Sequence, residues 1–287
     1  MAIDISHMAK YSSHMETTTH TQYITRPDGR VAFDVDGIGP LVVLVPGMGD
    51  LRSTYRLLAP TLRAAGYRVA VTDLRGHGDS DAGFSVFGDE ATAGDLIALV
   101  EHLGGPAVLV GNSLGAGAAA LVAAQRPELV SGLVLVGPFV RDSEQSLATR
   151  LMLRVAMARP WAARAWVAYL PKLNAGERPK DFDAHLVAIS HSLSRPGYAR
   201  AFSQTTRQTT HTLVESRLAD VSAPTLVIMG ELDPDWADPA AEAQWIATTL
   251  GGEVVMVPDA GHYPQSQQPG ITSESILGFL ARVATRA

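Results

Sequence analysis

The sequence predicts an α/β fold: a mostly parallel central sheet with helices on both faces and an inserted helical segment. Three observations carry this. Short, continuously apolar runs alternate with helix-length segments through the first half and again near the end. A glycine-flanked serine, Ser113, stands between one such run and an alanine-rich stretch. After Gly137-Pro138 the alternation gives way, for about 80 residues, to helical periodicity alone.

From Tyr23 onward the elements follow in order. Val31 to Val35 reads as a strand, closed by the turn Asp36-Gly37-Ile38-Gly39-Pro40. Leu41 to Val45 is apolar at every position, which suits a strand buried on both faces. A helix is expected around Tyr55 to Ala65, then a strand Arg68 to Thr72 and a helix Glu90 to Leu103. Strand Ala107 to Val110, helix Leu114 to Gln125 and strand Leu133 to Val136 follow. Thr225 to Met229 and Val254 to Val257 supply the later strands. The expected organisation is a tail over 1–22, a core over 23–139 and 219–287, and a helical insertion over 140–218.

Composition excludes several classes. With 287 residues, 46% hydrophobic and 18% charged, the chain can bury a substantial core and is not disordered in bulk. A net charge of −6 argues against nucleic-acid binding, which needs a basic footprint. The absence of cysteine removes disulfides, thiolate metal sites and a cysteine nucleophile. Leu151 to Leu170 is apolar but broken by Arg154, Arg159, Pro160 and Arg164, so no membrane span is expected. The first 22 residues lack a basic region followed by an apolar one, which reads as cytoplasmic. Ser-His-Met occurs there twice and looks like a cloning junction; His7, His14 and His20 are read as part of a floppy tail rather than a metal site. Residues 140–218 carry twelve Arg or Lys against six Asp or Glu, so the insertion is basic and the rest acidic.

Chemistry concentrates at Gly111-Asn112-Ser113-Leu114-Gly115. Glycines on both sides let a strand turn sharply into a helix and leave the serine exposed at the sheet edge. A serine hydroxyl is a poor nucleophile at neutral pH and needs a base, itself held by a third group. His262, in Asp259-Ala260-Gly261-His262-Tyr263, and Asp233, in Gly230-Glu231-Leu232-Asp233-Pro234, each follow a predicted strand. Such loops are where α/β sheets place their ligand sites.

In this order of serine, acid and histidine the chain resembles the α/β-hydrolase superfamily from about Tyr23 onward. The resemblance implies Ser113 as nucleophile, His262 as base and then acid, and Asp233 as the orienting carboxylate. It implies the backbone N–H groups of Leu114 and Met48 as oxyanion donors, although Pro46 stands where the family has histidine. Gly76-His77-Gly78-Asp79-Ser80 is similar to a structural loop of the family, and residues 140–218 match the position of its cap. Asp235 is read as capping the following segment, and Asp73 with Arg75 as an ion pair that fixes a loop. Phe139, Trp236 and Tyr263 flank the triad in sequence and are expected to line the substrate pocket.

No metal or cofactor is implied: the histidines lack metal-ligand spacing. Gly47-Met48-Gly49 echoes a dinucleotide loop, but Arg52 occupies its third glycine position. The leading expectation is a serine hydrolase acting on small, hydrophobic carboxylic esters or lactones. The alternatives are a carbon–carbon bond hydrolase of ring-cleavage products, whose elbows also carry Gly-Asn-Ser, an acyltransferase or haloperoxidase-like member, and a silent relative that only binds a small ligand. The expected partner is a small-molecule ester or lactone substrate, with no nucleic acid and no membrane, and oligomeric state stays open.

Overall fold

A computed structural model describes residues 20–142, 155, 158 and 160–285. Its strands are β1 Gln22–Arg26, β2 Gly29–Asp36, β3 Leu41–Val45, β4 Arg68–Thr72, β5 Ala107–Asn112, β6 Val130–Val136, β7 Thr225–Gly230 and β8 Glu253–Val257. They form one sheet in the order β1-β2-β4-β3-β5-β6-β7-β8. The β1–β2 and β2–β4 pairs are antiparallel, and every pair from β4 across to β8 is parallel. This is the predicted α/β class.

Side chains along the central strands alternate between two cores, as a period of two requires. Val43, Leu109, Leu135 and Val227 face one, packed by α2 Asp89–Leu103, α3 Leu114–Gln125 and α8 Pro239–Leu250. Val42, Val108, Val134 and Ile228 face the other, packed by α1 Leu58–Ala64 and α10 Pro269–Ala284. Both faces being covered explains the unbroken apolar runs. α3 lies beneath the sheet centre and is buried from Leu114 to Ala124, which its small residues permit.

Further helices are α4 Ala162–Leu173, α5 Phe182–Ser194, α6 Tyr198–Gln208, α7 Thr212–Arg217 and the single turn α9 Pro264–Gln267. Trp166, Leu170, Ile189, Leu193 and Phe202 give α4–α6 a small core of their own, which Tyr263 enters and against which Met48 and Leu51 pack. Expectations for residues 1–19, 143–154, 156–157 and 159 fall outside the described residues. No helix among the described residues is long and apolar enough to cross a membrane.

Several boundaries differ from expectation. The helix expected over Tyr55 to Ala65 is instead a 3-10 turn, Arg52–Tyr55, followed by α1. Tyr55 is fully buried and its hydroxyl donates to Val45 O at 2.7 Å, so a bond to β3 sets its place rather than helical periodicity. β1 begins at Gln22, and β6 begins at Val130.

Candidate active site

β5 ends at Asn112 and α3 begins at Leu114, so Ser113 alone makes the turn, at the carboxyl end of a central strand. It does so at φ 55° and ψ −122°, where a side chain costs roughly 1–3 kcal/mol. Close packing enforces this. A Cβ on Gly111 would lie 2.3 Å from Gly115 O, and one on Gly115 would lie 2.5 Å from Pro46 O. Ser113 N donates to Val136 O at 3.0 Å. Serine is a preferred helix cap, yet the Ser113 side chain makes no capping bond. The hydroxyl is left for other work.

Asp233 follows β7 and His262 follows β8. Their side chains are buried, and His262 Nδ1 donates to Asp233 Oδ2 at 2.8 Å. Neighbouring elements hold the histidine backbone: its N–H donates at 2.8 Å to Leu173 O, a carbonyl left free at the end of α4. Asn112 Nδ2 donates to His262 O at 3.1 Å and to Val136 O at 3.0 Å, so the residue before Ser113 is tied directly to the histidine loop. Burial disfavours the imidazolium, but the charge and hydrogen bond of Asp233 outweigh it, and Asp235 and Asp50 add to them. The His262 pKa is pushed up to about 9. With Nδ1 carrying the proton toward Asp233, the neutral ring presents Nε2 as its basic nitrogen.

Asp235 does not cap the next segment. The N-cap of α8 is Asp238, whose Oδ1 accepts from Ala241 N at 2.9 Å. Asp235 turns back on His262, with Oδ2 3.5 Å from its Nδ1. Its own N–H donates to Asp233 Oδ1 at 3.1 Å, and Tyr169 of α4 donates its hydroxyl proton to Asp235 Oδ1 at 3.2 Å. Donor atoms of Asp233, Asp235 and His262 lie within 4.8 Å of one another, a grouping that could in principle hold a metal ion. The 2.8 Å contact between His262 Nδ1 and Asp233 Oδ2 is too short for it. Two donors each ~2.1 Å from a tetrahedral ion stand about 3.4 Å apart, so a proton bridges them.

The loop after β3 closes over Ser113. A Cβ on Gly47 would meet Ser113 Cβ at 2.8 Å and Oγ at 3.4 Å, so the residue before Met48 packs directly on the serine side chain. Leu114, as first residue of α3, has no acceptor for its N–H within the helix. His77 and Trp166 hold the loop: Gly49 N donates to His77 Nε2 at 3.0 Å, and Gly49 O accepts from Trp166 Nε1 at 2.9 Å. Because Nε2 accepts, Nδ1 carries the His77 proton and donates to Arg75 O at 3.0 Å. Burial pushes the His77 pKa below its usual value, which keeps this neutral form.

The Phe139 ring lies 5.8 Å from His262, 5.0 Å from Trp236 and 5.5 Å from His211. Tyr263 is also beside His262, with ring centroids 5.1 Å apart, but it is buried in the α4–α6 core. Asp73 and Arg75 do not pair with each other: Asp73 bonds Arg52, and Arg75 bonds Asp95 at 2.6 and 2.8 Å. Asp73, the residue a dinucleotide reading would need, is thereby engaged. His185 Nε2 lies 2.7 Å from Asp50, and His211 Nδ1 lies 2.8 Å from Asp89 but outside hydrogen-bond geometry. A cavity of about 370 Å³ is lined by Arg52, Asp79, His191 and Arg195, and by none of Ser113, Asp233 and His262. The reading from sequence missed the parts played by Asn112, Leu173, Tyr169 and Asp235. The spacing Asp233-Pro234-Asp235 was the one available signal.

The chain matches the description "Alpha/beta hydrolase family" over residues 42–274. It is 29% identical over 261 residues to 2-(acetamidomethylene)succinate hydrolase of Mesorhizobium japonicum, covering 88% of this chain and 92% of that one. Among solved structures, an esterase of Thermogutta terrifontis with malate bound superposes with a TM-score of 0.75 at 29% identity, covering 92% of this chain and 99% of that one. The enol-lactonase of Burkholderia xenovorans shares the fold, with a TM-score of 0.77 at 21% identity, covering 91% of this chain and 100% of that one. With its mostly parallel sheet, its serine at a strand-to-helix turn and a family match over most of its length, the chain belongs to the alpha/beta hydrolase family.

Proposed function

We propose that the protein is a serine hydrolase of small carboxylic esters or lactones, working through an acyl-enzyme on Ser113. The observation that carries this is a buried histidine whose Nδ1 donates to Asp233 at 2.8 Å, on a loop bonded at 3.1 Å to Asn112, the residue before the strained, non-capping Ser113. Ser113 Oγ attacks the acyl carbon while His262 Nε2 takes its proton, and Asp233 stabilises the resulting imidazolium. The negative oxygen of the tetrahedral intermediate is met by Leu114 N–H and Met48 N–H, each such donor contributing about 3 kcal/mol. His262 returns the proton to the leaving alcohol. Water then enters, gives a proton to the same nitrogen and releases the acid from Ser113.

Phe139 and Trp236 form an apolar wall beside His262, which favours a hydrophobic acyl or alcohol group. Helices α4–α6 act in this reading as a cap. They contribute the Leu173 carbonyl and the Trp166 indole that hold the histidine and the oxyanion loop. The test is hydrolysis of p-nitrophenyl butyrate by wild type and Ser113→Ala. Equal rates remove the reading.

A further inference from the structure

His262 Nδ1 faces two carboxylates. Asp233 Oδ2 lies at 2.8 Å and Asp235 Oδ2 at 3.5 Å. The two acids are also linked, since the Asp235 N–H donates to Asp233 Oδ1 at 3.1 Å and so turns Oδ2 of Asp233 toward the ring. Asp235 is held from its other side by Tyr169, whose hydroxyl donates to Oδ1 at 3.2 Å and leaves Oδ2 directed at the imidazole. Lys172 lies over the Tyr169 ring, 5.5 Å from its centroid, and adds a cation to this side. Two carboxylates in one largely buried place repel each other, and a cation between them relieves that repulsion. The imidazolium formed during acyl transfer is such a cation.

We propose that Asp235 is a positioning residue that shares the catalytic imidazole with Asp233 and takes over its Nδ1–H when Asp233 is lost. The proposal deepens the hydrolase reading and rests on His262 being its base. A closer approach of less than 1 Å brings Asp235 Oδ2 from 3.5 Å to hydrogen-bond distance. The orientation of the ring and the tautomer that leaves Nε2 basic are then both kept. These are what a triad acid supplies. Tyr169 makes the arrangement depend on α4, so the helical layer supports the triad through Asp235 as well as through Leu173.

Two measurements test this, and one needs no substrate. The first is titration of the His262 ring by NMR, its signal assigned by loss in His262→Gln. Charged or titratable groups around the ring are Asp233, Asp235, Asp50, Tyr169, Lys172 and Tyr263. Wild type should titrate near 9. Asp235→Asn should lower that midpoint, Asp233→Ala, which leaves no amide to donate to Nδ1, should leave it above that of the double variant, and the double variant should fall lowest. If Asp235→Asn titrates with wild type and Asp233→Ala with the double variant, the proposal is overturned.

The second measurement is turnover of p-nitrophenyl butyrate. Losing the acid of a single-acid triad costs about ten-thousandfold. Asp233→Ala should lose about a hundredfold here, and the double variant the full amount. Adding Tyr169→Phe to Asp233→Ala should remove several-fold more. An Asp233→Ala enzyme as inactive as the double variant contradicts the proposal. Should wild type cleave no ester while the titrations separate as stated, the hydrolase reading fails and the shared imidazole stands.

Discussion

Ser113 holds its backbone in a conformation that glycine adopts without strain, and it does so between two positions where even a methyl group collides with main chain. Stability and activity should therefore move in opposite directions. Ser113→Gly should be about 1 kcal/mol more stable than Ser113→Ala, read by urea unfolding. Both variants should lose at least about a thousandfold in kcat/KM. His262 carries a pH signature of defined sign. Its folded pKa of about 9 lies above the ordinary 6.5, so the stability it contributes is full below about pH 6.5 and fades as pH rises through 9. The stability gap between wild type and His262→Gln should shrink over that range. Catalysis runs the other way, because the base must be neutral: kcat/KM should climb with pH toward a limb near 9.

At the scale of elements, the loop after β3 and the start of α3 meet at Ser113, and each is held by a contact that can be broken singly. His77→Ala removes the acceptor of Gly49 N–H and should lower kcat about tenfold with little change in KM, since it loosens a donor to the transition state. Gly115→Ala drives a methyl into Pro46 O and should cost about 1–3 kcal/mol, read as a lowered midpoint in urea. β3, β4 and α3 were legible in the sequence because their periodicity is their own. The split at Tyr55 was not, because a bond to the Val45 carbonyl decides it. Asp235 and Asp238 show why a cap could be misplaced: both are aspartates before α8, and only tertiary contacts with Tyr169 and His262 draw Asp235 away.

For the whole molecule, the basic character of residues 140–218 meets an acidic remainder across bonds such as Arg141 to Glu242 and Arg195 to Asp79. Charge left over from this pairing should favour anionic substrates at long range. A p-nitrophenyl ester bearing a carboxylate should lose more kcat/KM between low and high salt than a neutral analogue, and equal sensitivity contradicts this. The order of Ser113, Asp233 and His262 was legible because each follows an apolar strand. The aromatic surroundings of His262 were only partly so, since they depend on how α4–α6 pack, which placed Tyr263 in their core and Phe139 against Trp236. All of this depends on one hydroxyl being activated. Treatment with a fluorophosphonate followed by intact-mass and peptide analysis should give a single adduct on Ser113 that is absent from Ser113→Ala and greatly slowed in His262→Gln. An unlabelled wild type, or equal labelling of all three, contradicts the account.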